Sequence, residues 1–302
     1  MESTYKTPGT PVFTRLTEGF KEWLHIIGYT EQTAKQLPKR ITELFIYLES
    51  QGVYQLKEVQ KSHLQNWYEQ QKTRKNPNTG ELLKPHTLNS INSTWRLFDQ
   101  YLQETDQGTM PVDIPYEPVI YEEREVLTAQ QVQTLYNATD ETMLGLLDRA
   151  MLSVYYGCGL RSNEGINLDV SDVLLDKGLL YVRKGKGYKE RYVPFTGGVK
   201  TDFKLYLQEC RPKLLKDSSQ QAFLLNSKGR RIGYATLIRR LRILTERANI
   251  EKPIGLHIFR HSIATHLLQS GMKIEDIAKF LGHAYLSSTQ IYTHLIHEHG
   301  AF

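Results

Sequence analysis

Between Asp106 and Glu125 the helical rhythm of this 302-residue chain stops. Gly108, Pro111, Pro115 and Pro118 fall there with little periodicity among them. Proline fixes φ and lacks an N–H, so such a stretch continues neither a helix nor the middle of a sheet. It reads as an extended linker, residues 106–125, that divides the chain in two. Two units also suit the length, at about 100–200 residues per domain. The linker carries 1 basic against 6 acidic side chains, which discourages it from lying along phosphates.

Residues 1–12, with Pro8, Gly9 and Pro11, read as a loose tail. Residues 13–105 then show repeated amphipathic patterning. Phe13, Leu16, Phe20, Leu24 and Ile27 recur at intervals of three and four until Gly28. Ile41, Leu44, Phe45 and Leu48 form a second stripe ended by Gly52, with Pro38 marking a kink or a late start. Val59, Leu64, Trp67 and Tyr68 suggest a third helix, and Leu88, Ile91, Trp95, Phe98, Tyr101 and Leu102 a fourth. The polar stretch 72–84 between them reads as a loop. The second unit, residues 126–302, opens on a capping box at Thr128 and Gln131. Helical patterning runs on through Leu135, Leu144, Leu147 and Ala150 to Tyr156. Residues 179–183 and 191–195 read as two short strands around a Gly/Lys turn, and 201–296 as mostly helical. The expected class is mainly α: a small helical domain, then a mostly helical domain holding a small β-hairpin.

The net charge of +5 is unevenly spread. Residues 1–105 hold 13 Lys/Arg against 11 Asp/Glu, and residues 126–302 hold 24 against 16. A basic C-terminal half suits a polyanionic partner, although charge alone argues affinity and not activity. No apolar run approaches the ~18 residues of a membrane helix, and no apolar leader opens the chain. Cys158 and Cys210 are the only cysteines, which makes a reducing cytoplasm the expected setting. Together with His294, His297 and His299 they lack the spacing of a zinc site, so no metal is expected.

Several residues could carry chemistry. His257 and Arg260, at i and i+3, share a helix face, while Phe259, Ile263 and Leu267 form an apolar stripe for a core. The same pair would be equally at home on a solvated face. Arg161 follows Gly157-Cys158-Gly159-Leu160, where glycine lets backbone approach a ligand or ends a helix. A planar guanidinium suits phosphate because it donates two parallel hydrogen bonds and stays charged. Glu164 either orients Arg161 or is simply exposed. Lys186, flanked by Gly185 and Gly187, is either a mobile cation at a groove or part of a solvated basic turn; the spacing is not that of a Walker loop. His283 follows Gly282, which ends the helix of Ile274, Ile277, Phe280 and Leu281. Ser287, Ser288 and Thr289 could cap a further helix bearing Tyr292.

In order and spacing, Gly-Leu-Arg, Gly-Lys-Gly-x-Lys-Glu-Arg, His-x-x-Arg-His-Ser, Leu-Gly-His and Ile-Tyr-Thr-His resemble the tyrosine recombinase (integrase) family. The resemblance covers most of residues 127–299. It implies catalytic roles for Arg161, Lys186, His257, Arg260, His283 and the nucleophile Tyr292. It also implies a core-site-binding domain at 13–105, a catalytic domain at 126–302, and a clamp of both on DNA. One departure is Asn163-Glu164-Gly165, where the family often has Ser-Glu-Leu. The implied reaction is site-specific strand exchange through a 3′-phosphotyrosine, in integration and excision, inversion or dimer resolution. It needs no cofactor. The implied partners are double-stranded DNA with a specific recombination site and a homotetramer, or a paired second recombinase, on that DNA. The absence of a further domain before Phe13 reads as a simpler recombinase. Arg239, Arg240 and Arg242, with Lys189, Arg230 and Arg231, are the expected further DNA contacts, unless they line a solvated helix. A topoisomerase IB-like relaxase and a non-catalytic DNA-binding regulator are the competing readings.

Overall fold

The computed structural model describes residues 7–77, 79–120, 125–183 and 190–282. It separates into two compact units, residues 1–122 and 123–302.

The first unit is built on α1 (Pro11–Ile26), α2 (Glu31–Ser50), α3 (Lys61–Thr73) and α4 (Pro85–Glu104). Each apolar stripe read from the sequence faces one core, in which Phe13 stacks on Phe45 at 4.1 Å and Phe20 meets Phe98 edge-on at 5.1 Å. Ile27 is the exception: it lies beyond the last turn of α1 and is largely exposed. Helix α2 starts at Glu31, capped by the Thr30 hydroxyl, and continues through a buried Pro38 instead of starting late. The flanking burial of Ala34 and Ile41 outweighs the one hydrogen bond that proline forfeits.

The acidic stretch after α4 has no regular structure, as its prolines require, but it is not a free tether. Its first dozen residues are strapped along α4. Asp99 Oδ1 accepts from the Met110 backbone N–H at 2.6 Å and from the Thr109 hydroxyl at 2.8 Å. Asn92 Nδ2 and Arg96 Nη2 both donate to the Ile114 carbonyl at 2.8 Å. Asn89 exchanges two bonds with the Glu117 backbone. Met110 and Ile114 are buried in the helical core. The boundary between units falls at 122/123, so most of this stretch belongs to the first unit.

The second unit begins with α5 (Ala129–Asn137), whose Thr128–Gln131 capping box forms as expected. The helical run to Tyr156 is broken: Thr142 caps a new helix, α6 (Met143–Leu152), and a π turn (Ser153–Gly157) follows it. A short α7 (Ser162–Ile166) leads into an antiparallel sheet of β1 (Val173–Leu174), β2 (Leu179–Val182) and β3 (Arg191–Pro194), ordered 1-2-3. β2 and β3 are the two strands read from the sequence, with Leu180 opposite Val193 and both buried. β1, two residues long, is too short to carry an alternating pattern. Next come α8 (Gly197–Leu205), a π turn (Tyr206–Cys210) and α9 (Arg211–Leu214). The stretch 215–233 is not helical; it makes bridges Asp169–Ala222 and Leu225–Arg231. Three helices follow: α10 (Tyr234–Arg247), α11 (Leu256–Gln269) and α12 (Ile274–Leu281). Cys158 and Cys210 are buried free thiols. Among the described residues no helix is long and apolar enough to cross a membrane, and no cluster of His, Cys, Asp and Glu could hold a metal ion.

Candidate active site

Arg161 and Arg260 come from opposite ends of the second unit's sequence and meet at one place. Two residues past the π turn, Gly159 has a φ of +59°, a left-handed conformation that a side chain would strain. A Cβ there would also lie 3.0 Å from both Leu281 and Phe280. Glycine thus turns the chain sharply against α12 and leaves Arg161 as the residue that opens α7. Arg260 points inward from α11: Nη1 donates to the Gly159 carbonyl at 2.6 Å and Nη2 to the Leu281 carbonyl at 2.5 Å. Arg161 Nη2 donates to the Gly282 carbonyl at 3.0 Å. The last carbonyls of a helix have no partner within it, and the helix dipole favours cations there. The end of α12 therefore draws both guanidinium groups to itself. Gly282, left-handed at φ +65°, closes that end.

Glu164 sits beneath this cluster with its side chain only 3% exposed. Its Oε2 accepts from the Arg161 backbone N–H at 2.9 Å and its Oε1 from Arg161 Nη1 at 2.7 Å. So Glu164 orients Arg161, the first of the two alternatives the sequence left open. A third guanidinium, from Arg191 on β3, forms two bonds with the same carboxylate, at 3.0 and 2.9 Å. Arg260 Nη1 lies 4.0 Å from it. Burial alone would push the Glu164 carboxyl up. The bonds and charge of Arg191, then the backbone N–H and charge of Arg161, prevail and lower it to about 2. Glu164 is ionised at neutral pH, and three arginines gather on its one charge, so the local balance among the described residues is positive. The neighbouring Asp169 and Asp172, by contrast, balance Arg183 and Arg231 two for two.

The Asn163-Glu164-Gly165 departure has a steric cause. A Cβ at Gly165 would come within 2.7 Å of the Tyr155 ring. Tyr155 is fully buried, and its hydroxyl donates to the Ser162 carbonyl at 3.2 Å. The Tyr155 ring occupies the space that a side chain at 165 would need.

His257 lies one turn before Arg260 but is exposed, while Arg260 is buried. The two share a side of α11 at different depths. Phe259 is buried, and Ile263 and Leu267 pack partly against the α12 cluster, as the apolar stripe predicts. Lys186, Lys189, His283 and Tyr292 lie outside the described residues, as do Ser287, Ser288 and Thr289.

Of the expected DNA contacts, Arg230, Arg239 and Arg242 are exposed, the last pairing with Glu246 at 3.5 Å. Two others have protein partners that the sequence did not show. Arg240 is buried on the inner face of α10 and grips the fully buried Asp148 through both carboxylate oxygens, Nε to Oδ1 at 2.7 Å. A charge this deep must be paired, and Asp148 pairs it within the core. Arg231 donates to the Ile166 and Leu168 carbonyls at 2.8 and 2.9 Å and pairs with Asp169, so it fastens 225–231 to the α7 region. In both cases a burst of arginines hid which ones the fold turns inward. Arg191 is the site residue that sequence reasoning missed. Its only signal was its place at the end of the Gly-Lys-Gly-x-Lys-Glu-Arg run.

The phage integrase family model matches residues 125–299. Tyrosine recombinase XerC 2 of Ralstonia nicotianae is 30% identical over 299 residues, 95% of this chain and 84% of that protein. Tyrosine recombinase XerD of Listeria innocua is 39% identical over 173 residues, 57% of this chain and 58% of that protein. Among solved structures, the XerH site-specific recombinase bound to palindromic difH substrate, in a post-cleavage complex, aligns over 97% of this chain and 95% of that one. Its TM-score is 0.68 at 17% identity, a likeness of fold.

Proposed function

The chain belongs to the phage integrase family of tyrosine recombinases, site-specific enzymes that break and rejoin DNA strands, and from that premise we propose how its own residues carry the reaction. The observation that bears most weight is the surplus of guanidinium charge at Glu164: Arg161, Arg191 and Arg260 share one buried carboxylate. Such a site favours an anion, and a phosphodiester is the anion that a planar guanidinium fork fits.

In the proposed mechanism Arg161 and Arg260 stabilise the non-bridging oxygens of the scissile phosphate as charge builds during attack. Tyr292 is the nucleophile. A free tyrosine titrates at ~10, so its proton must leave as the P–O bond forms, and adjacent cations ease that loss. The departing 5′ oxygen needs a proton in return. Lys186 supplies it, with His257, exposed beside the cluster, supporting the transfer. His283, next after Gly282, adds a hydrogen bond to the same phosphate. The 3′-phosphotyrosine keeps the energy of the broken bond, and a 5′-hydroxyl of another strand reseals it without a cofactor. The partner is double-stranded DNA bearing a specific site, held by residues 13–105 as core-binding domain and 126–302 as catalytic domain. Four copies, or two pairs with a second recombinase, assemble on paired sites in the cytoplasm.

The test is covalent trapping. Wild type and Tyr292→Phe are incubated with nicked genomic fragments of the host, quenched with denaturant, and the adducted ends sequenced. Adducts at one recurrent sequence, absent from the variant, are expected. Scattered adducts would favour a relaxase. Specific binding that the variant retains, with no adduct from wild type, would mark a regulator and end the mechanism.

A further inference from the structure

The three consecutive carbonyls that end α12 each accept from a different arginine. Phe280 takes Arg191 Nε at 3.2 Å, Leu281 takes Arg260 Nη2 and Gly282 takes Arg161 Nη2. Two of these arginines are the phosphate-binding pair of the proposed mechanism. Arg191 differs from them. Both its terminal nitrogens are spent on Glu164 and its Nε on α12, and its side chain is 10% exposed. It packs so closely that a Cβ at Gly282 would lie 2.8 Å from its Cδ, Nε and Nη1. A guanidinium with these partners has little left for substrate. What it can do is fix others.

We propose that Arg191 is a positioning residue: by clamping Glu164 and the end of α12 it sets the orientation of Arg161 and ties β3, the strand after Lys186 in sequence, to the phosphate site. Its action is indirect and runs mainly through one carboxylate. Arg191 holds both Glu164 oxygens in place, and the same oxygens then hold the Arg161 backbone N–H and Nη1. Through Phe280 it also holds α12, whose Gly282 carbonyl supplies the other anchor of Arg161. Without Arg191 the carboxylate loses its largest stabilising partner, and Arg161 loses a fixed seat. The proposal rests on the recombinase reading above, and its test separates the two.

The full-length chain and its Arg191→Lys and Arg191→Gln variants are labelled at the glutamate side-chain carboxyls and titrated by NMR without DNA. The Arg161 guanidinium signals are followed in parallel. In the wild type Glu164 stays charged down to about 2. In Arg191→Lys, where an ammonium cannot span both oxygens and Phe280 together, the midpoint rises toward the ordinary value of ~4.3 and Arg161 loses its distinct signals. Arg191→Gln moves further the same way. An unchanged Glu164 titration with unchanged Arg161 signals in either folded variant overturns the proposal, whether or not the protein ever cuts DNA. On the fragment recovered by tyrosine trapping, single-turnover cleavage by Arg191→Lys is expected to slow by roughly 100-fold, the scale of a misplaced catalytic group. The half-saturating DNA concentration should move by less than about three-fold, because the lost interaction matters in the transition state. The variant should also gain a loss of rate below pH ~5 that the wild type lacks, as its Glu164 becomes protonated. Adding Glu164→Gln to Arg191→Lys should slow cleavage by far less than the product of the two single losses. Independent, multiplying losses, or a defect confined to DNA affinity, would refute action through Glu164. If trapping recovers no site, the recombinase mechanism fails, and the carboxyl titration alone decides the role of Arg191.

Discussion

Glu164 concentrates the electrostatics of the site in one side chain. Its carboxyl is held at about 2 when folded and titrates in the ordinary range, at ~4.3, when unfolded. A depressed carboxylate stabilises the fold above its unfolded value, and that contribution fades as pH falls through the folded value. The window is therefore about pH 4.5 down to 2, and the contribution is on the order of 3 kcal/mol. Glu164→Gln should lower the denaturation midpoint at pH 7 and flatten its dependence on pH across that window. Urea unfolding of both proteins from pH 3 to 7 measures the difference directly. Equal slopes in the two would mean that the arginines hold no charged carboxylate. Tyr155 and Gly165 make a complementary point at the same scale. A glycine at 165 leaves room for the fully buried Tyr155 ring, which a side chain there would meet at 2.7 Å.

Among the elements, α4 carries two different faces. Leu88, Ile91, Trp95, Phe98 and Leu102 face the helical core. Asn89, Asn92, Arg96 and Asp99, also spaced by three and four, face the acidic strap. Apolar periodicity reveals the core-facing side. The strap-facing side has the composition of a solvated polar face, because hydrogen bonding to a distant backbone has no hydrophobic signature. Asp99→Ala should free the start of the strap, at a cost of about 1–3 kcal/mol for a charge-assisted bond. Hydrogen exchange at the Met110 amide should then rise well above its rate in the wild type. An unchanged rate would show that burial of Met110, and not Asp99, holds the strap. Likewise β1 and the break between α5 and α6 were not legible. Two residues are too few to show alternation, and the Thr142 cap lies inside a pattern that reads as continuous.

Over the whole molecule, charge follows the division into units. Residues 1–122 hold 13 basic against 15 acidic side chains, a net of −2; residues 123–302 hold 25 against 18, a net of +7, which together make the +5 of the chain. The attraction for DNA phosphates therefore resides mainly in the second unit. Its exposed arginines are the ones to test. Arg239→Ala should flatten the dependence of log affinity on log salt by roughly 0.9. Arg240→Ala should leave that slope alone and instead lower unfolding stability by about 3–5 kcal/mol, because it strands the buried Asp148 charge. Filter binding to duplex DNA at several salt concentrations, beside urea unfolding, distinguishes the two. A flattened slope in folded Arg240→Ala would return that arginine to the interface.

Helix placement in the first unit, the β2–β3 pairing, the basic second half and the family motifs were all determined by the sequence. These properties are local. They depend on periods of two and 3.6, on caps, and on residues a few positions apart. Which arginines gather at Glu164 and the end of α12 and which pair with Asp148 or Asp169 was decided by the tertiary structure alone. Arg161, Arg191, Arg231, Arg240 and Arg260 are chemically identical in the chain. They part company because the end of α12, Glu164, Asp169 and Asp148 reach them from distant segments. Long-range charge pairing leaves no periodic trace, so only the folded arrangement separates the arginines clustered at Glu164 from a core ion pair such as Arg240 with Asp148.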